Sequence, residues 1–100
     1  MRRIIKKKVY DTEDCIIILK KSSYSRGAYN GDCLIGKTTN GNYFYAWDKK
    51  SDDTSIRDSY IHALDKDQVI EKIEESMSST LTDSDTERLM VEFHDELGHA

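Results

Sequence analysis

The sequence contains no proline, where about five would be usual for a chain of 100 residues. That leaves no rigid linker and no Pro-rich ligand segment. There is no run of about 18 apolar residues, so no membrane-spanning helix is expected. The opening stretch MRRIIKKKVY is positively charged but has no apolar core behind it, which argues against a signal peptide. Cysteine is scarce. Cys15 and Cys33 both sit in apolar, strand-like runs and are expected to be reduced thiols packed in a core, with a disulfide as the alternative. Repeats of solenoid length are absent.

Chemistry-bearing motifs are equally thin. His62, His94, His99, Cys15 and Cys33 are metal ligands by type. His94 and His99 stand five apart, however, off the i, i+4 spacing that stacks two ligands on one helix face, and no Cys-x-x-Cys or His-Glu-x-x-His occurs. Asp48, Asp52, Asp53 and Asp58 fall close together without the spacing or the central glycine of a calcium loop. No Gly-x-Ser-x-Gly, Gly-rich phosphate loop or acid/base pair appears. No catalytic residue, no metal and no cofactor is assigned, and no enzyme is expected.

What is present is charge, distributed unevenly. Charged residues make up 34% of the chain and hydrophobic ones 37%, and the net charge is -4. Residues 1–50 hold eleven Lys/Arg against five Asp/Glu, whereas residues 51–100 hold four against fourteen. Such a division is a statement about partners rather than about fold. A chain of this length forms one domain, here residues 1–100.

The first half reads as strands. Residues 2–10 and 15–21 are β-branched and apolar, SSYSRGAYNG (22–31) reads as a loop, and 32–39 and 42–48 follow as two more strands. Residues 49–59 read as a loop and 60–63 as a short fifth strand, so the sheet spans about 2–63. The second half reads as two helices, about 66–78 and 84–97. Asp65 with Gln68 and Ser84 with Glu87 have capping-box spacing, and Gly98 is placed to stop the second helix. Val69, Ile70, Ile73 and Met77, then Leu89, Met90, Phe93 and Leu97, form apolar stripes. The fold class is α+β: an antiparallel sheet of four or five strands followed by two C-terminal helices.

Asn40-Gly41 predicts a two-residue type I′ hairpin turn. That register sets Tyr43, Tyr45 and Trp47 opposite Thr38, Gly36 and Leu34, and sets Phe44 and Ala46 opposite Lys37 and Ile35. Gly36 would then lie beneath Tyr45. The Phe44 face, small and apolar, is expected to meet the helices. The Tyr43, Tyr45 and Trp47 face, with its polar handles, is expected to be less buried and a candidate contact surface. Asp67, Glu71, Glu74 and Glu75 lie off the first helix's apolar stripe and are candidates for docking a basic protein groove. Arg2, Arg3, Lys6, Lys7, Lys8, Lys20 and Lys21, with the aromatic strand, support the alternative of a nucleic-acid-binding module. The second helix offers a further route, pairing two chains across a two-fold axis.

The segments KKVYDTED (7–14), KTTNGNYFYAW (37–47) and IHALDKDQVIEKIEE (61–75) resemble a group of small phage and mobile-element proteins with a valine-tyrosine-aspartate-threonine-glutamate strand, a Lys-Thr-x-x-Gly-Asn-Tyr/Trp-Phe hairpin and an acidic helix. The resemblance covers about residues 4–78. SDDTSIRDS stands where the group has a glycine-rich segment, and the helix at 84–97 is additional. The resemblance implies a genomic setting rather than a mechanism: small acidic proteins of that setting include inhibitors of host defence, anti-CRISPR proteins among them. It implies a protein of the bacterial host cytoplasm that binds a host defence protein such as a CRISPR effector, without a membrane, and it carries over no site residues.

Overall fold

The N-terminal stretch that reads as one strand is in fact a hairpin. In the computed structural model, which describes residues 1–98, β1 (Arg2–Ile5) pairs antiparallel with β2 (Lys8–Asp11). The chain reverses through Lys6 and Lys7, whose φ angles are +49° and +66°. Two positive φ values make a type I′ turn, which matches the twist of the flanking strands. No Asn or Gly marks it, and left-handed backbone costs a lysine about 1 kcal/mol.

A second sheet holds β3 (Ile16–Ser25), β4 (Ala28–Lys37), β5 (Tyr43–Lys49) and β6 (Tyr60–Leu64), in that order and all antiparallel. SSYSRGAYNG is not a loop. It extends β3 and β4 into a long arm that turns at Arg26 and Gly27, both with positive φ. Two bulges interrupt the β3–β4 ladder. The first leaves Ile18 unpaired, which turns Ile18 and Leu19 into the same core.

The turn at Asn40-Gly41 holds three residues, not two. Thr38 N–H donates to Asn42 O (2.8 Å), Gly41 N–H donates to Thr38 O (2.9 Å), and Gly41 takes φ +86°. This is the three-residue hairpin whose last loop residue is left-handed. One extra loop residue moves the register by one. Tyr43, Tyr45 and Trp47 therefore face Lys37, Ile35 and Cys33, and Phe44 faces Gly36. A one-residue slip exchanges faces, so the β4 partners expected for each aromatic are all replaced.

The face assignment is also corrected. The helices α1 (Lys66–Ser76) and α2 (Asp83–Glu92), joined by a short 3-10 turn at Ser78–Thr80, cover the tyrosine and tryptophan side. Tyr43, Tyr45 and Trp47 form one core with Leu19, Ile35, Val69, Ile73, Met77, Leu89 and Phe93. Phe44, Ala46, Leu34 and Ile61 form a second core, closed by Tyr10 and by Met1 and Ile5 of the N-terminal hairpin. The molecule thus has three layers: hairpin, sheet, helices. The β1–β2 hairpin, rather than the helices, covers the Phe44 face.

The capping box at Asp65 and Gln68 is present, each side chain bonding the other's backbone N–H. The second box lies at Thr82 and Asp85 rather than Ser84 and Glu87, and α2 ends with Phe93 as its C-cap rather than running to Gly98. Leu89 and Phe93 are buried, so the apolar stripe of α2 expected to pair two chains is used within its own chain. Its outlying members, Met90 and Leu97, remain partly exposed.

Candidate functional site

α1 presents its acids away from the sheet. Val69 and Ile73 point into the core, while Asp67, Glu71, Glu74 and Glu75 are all exposed. Spacings of four, three and one place these carboxylates within an arc of about 100° on the far side of the helix. The two lysines of α1 do not neutralise them. Lys66 reaches Glu96 at 3.4 Å, and Lys72 lies over the Tyr45 ring, 4.3 Å from its centroid. Among the described residues, none of the four carboxylates makes an ion pair.

Two of the four acids of α2 behave differently, while Asp83 and Glu87 are exposed like those of α1. Asp85 pairs with Lys21 on β3, and Glu92 accepts from Lys37 Nζ (3.0 Å) and Tyr43 Oη (2.7 Å). The Lys21 ammonium and the Thr82 backbone N–H hold the Asp85 carboxyl down to about 2. Burial opposes ionisation of Glu92, but the Tyr43 hydroxyl and the Lys37 ammonium outweigh it, and its carboxyl lies below the usual range. Part of the charge division along the sequence is therefore internal: sheet lysines fasten the acidic second helix. Arg88 adds a bond from α2 to the Ile18 carbonyl, at the bulge on the sheet's edge strand.

The aromatic strand is enclosed. Tyr43 and Tyr45 are 5% exposed and Trp47 is 8% exposed, so these candidate contact residues present little surface. Their polar handles are satisfied inside the chain: Tyr43 Oη donates to Glu92, Tyr45 Oη to Cys33 Sγ (3.2 Å), and Trp47 Nε1 to the Arg57 carbonyl (2.7 Å). Burial, with the adjoining Glu92 and Cys33 respectively, pushes both tyrosine hydroxyls upward.

Cys15 and Cys33 are free and half-buried, and they pack against different cores. Burial, with Asp11 and Asp14 nearby, pushes the Cys15 thiol up, away from nucleophilic character. His62 stacks at 4.6 Å on Tyr60, and His94 meets its neighbour Asp95 at 3.3 Å. His99 lies outside the described residues. Among the described residues no group of three or more His, Cys, Asp or Glu side chains is arranged to hold a metal ion, and no helix is long and apolar enough to cross a membrane.

Two surfaces were not legible as such. One is the tip of the β3–β4 arm, where Tyr24 and Tyr29 are exposed with their rings 5.6 Å apart. Their signal was the Arg-Gly pair flanked by tyrosines, masked by serine and asparagine. The other is the β1–β2 hairpin: its five cations stand out in the sequence, but on a segment that reads as one strand rather than as a two-stranded ribbon. No protein-family model, curated protein or solved structure matches the chain.

Proposed function

We propose that this protein is a non-enzymatic accessory protein of the phage or mobile-element kind, which binds and blocks a host defence protein, such as a CRISPR effector, in the bacterial cytoplasm. The carrying observation is the α1 ridge: Asp67, Glu71, Glu74 and Glu75 are exposed and lack an internal cation among the described residues, although the rest of the chain is rich in lysine and arginine. Carboxylates stepped about 6, 4.5 and 1.5 Å along the helix axis compete for cations that would otherwise hold phosphates. Placed against a groove built for nucleic acid, such a ridge gains rapid, oriented encounter and excludes the natural ligand. The resemblance of residues 4–78 to small phage proteins supplies the setting.

The test is infection. In cells with an active CRISPR defence, expression of the chain is expected to restore plaque formation. The triple reversal E71K/E74K/E75K, which spares Asp67 in the first turn of α1, is expected to abolish that protection while leaving the melting temperature nearly unchanged. A wild-type chain that protects no phage and binds no purified effector at low salt sinks the proposal.

A further inference from the structure

We infer that the β1–β2 hairpin is a second, independent binding site, for the sugar-phosphate backbone of duplex nucleic acid. It faces away from the sheet on the side opposite the acidic helices, because Tyr10, Ile5 and Met1 close the core beneath Phe44. Arg2, Arg3, Lys6, Lys7 and Lys8 sit on this ribbon against one carboxylate of its own, Asp11, which pairs with Arg2 at 3.0 Å. Four-residue strands make the ribbon about 13 Å long. Duplex DNA presents a phosphate charge about every 1.7 Å of axis, so a ribbon of that length meets several.

The hairpin also borders a cleft. A space of about 860 Å³ separates it from the β4–β5 turn and is lined by Arg2, Lys7, Lys8, Thr38, Thr39 and Asn40. Cations together with short hydroxyl and amide side chains are the groups that seat phosphates. Asp11 and Asp14 line it too, the first neutralised by Arg2. Lys8 Nζ donates to Asn42 Oδ1 (3.0 Å), which ties the ribbon to the turn across the cleft.

Two observations go beyond ordinary edge protection by lysine. Lys6 and Lys7 occupy both positive-φ positions of a type I′ turn, where Asn-Gly would fit without strain. Ile4 is 76% exposed and Val9 is also exposed, directly opposite each other on the outer face between Arg2 and the Lys6-Lys7 turn, whereas Arg3 and Lys8 leave from the inner face beside Tyr10 and Ile5. A two-stranded ribbon fits the width of a major groove, and small aliphatic side chains contact its thymine methyls. The ribbon's one aromatic, Tyr10, is buried, so no base-stacking platform is offered and duplex is preferred to single strand. An anionic membrane is disfavoured because two aliphatic side chains give little insertion.

The turn sequence supplies a clean variant. K6N/K7G replaces both lysines by the preferred type I′ pair, which removes two charges and keeps the hairpin. The probe is a labelled 20-base-pair duplex, with salt varied from 50 to 300 mM. Four uncompensated cations predict a slope of log affinity against log salt of about -3.5, and the variant a slope smaller by about 2, with roughly tenfold or greater loss of affinity at low salt. E71Q/E74Q is expected to retain duplex binding, so failure here and failure of the acidic-ridge reading are separable. The inference is overturned if the duplex is not bound at 50 mM salt, if the slope is flat, if a folded K6N/K7G binds like wild type, or if phosphatidylserine vesicles bind and the duplex does not.

Discussion

At Gly36 an added Cβ would lie 2.6 Å from Cζ of Phe44 and 3.1 Å from Cys15 Sγ. The glycine lets Phe44 lie flat against β4. Phe44 is wholly buried and cannot retreat, so Gly36→Ala is expected to cost about 1–3 kcal/mol, as overpacking does; chemical denaturation measures it. A glycine covered by an aromatic was legible in the sequence, but Tyr45 was the wrong aromatic. The error came from one residue of turn length, since Asn-Gly closes two-residue and three-residue hairpins alike. A second residue-scale prediction concerns Asp85. Its carboxyl is held at about 2 against an ordinary 3.8, so the ion pair with Lys21 contributes stability above about pH 4 and loses it as pH falls toward 2. Lys21→Gln is expected to raise the Asp85 titration, followed by NMR, and to flatten this acid limb of the stability curve.

The elements were legible in kind where hydrophobic period and caps agree. α1 is the clearest: its box at Asp65 and Gln68 and its stripe of Val69 and Ile73 lie where spacing put them. α2 shows the limit of pattern matching. Two overlapping Ser/Thr-x-x-Asp/Glu boxes occur in TDSDTE, and the chain uses Thr82 with Asp85 because Asp85 also meets Lys21. That contact is tertiary and invisible locally. Thr82→Ala is expected to cost about 1 kcal/mol and Ser84→Ala a few tenths at most, a contrast that thermal melting of the two variants resolves. The β1–β2 hairpin was missed for the complementary reason. Lysines at 6 and 7 carry no turn signal, and the reversal is imposed by Tyr10 and Ile5 packing on the sheet. Relief of that local strain predicts that K6N/K7G melts above wild type, by about 1 kcal/mol or more of added stability.

For the whole molecule, a charge division along the sequence becomes a division in space. The helices lie on one side of the sheet and the basic hairpin on the other, because the two faces of β5 bury different partners. Composition revealed the division but not its direction. The tyrosine and tryptophan face went inward because its hydroxyl and indole groups found acceptors on α2, β4 and the 50–59 loop, pairings no sequence window contains. Within α2, Asp85 and Glu92 are committed to Lys21 and Lys37 while Asp83 and Glu87 stay exposed, whereas all four acids of the α1 ridge are free of ion pairs among the described residues. Burying a Tyr or Trp is worth several kcal/mol, so an aromatic contact surface at residues 43–47 would require the helices to leave. Phe93→Ala, which removes the wholly buried ring that Tyr43 packs against at 5.3 Å, is expected to cost about 3–5 kcal/mol and to loosen α2.

On the proposed function, α1 docks by charge on a groove that otherwise holds nucleic acid. Calorimetric titration of the chain into a purified CRISPR effector, with and without bound guide and target, at 50 and 300 mM salt, puts this to the test. Wild type is expected to bind the empty groove, to weaken about tenfold or more with salt as screening predicts, and to fail against the occupied groove, with E71K/E74K inactive in every condition. Equal affinity of wild type and E71K/E74K, or binding indifferent to the occupied groove, would contradict it.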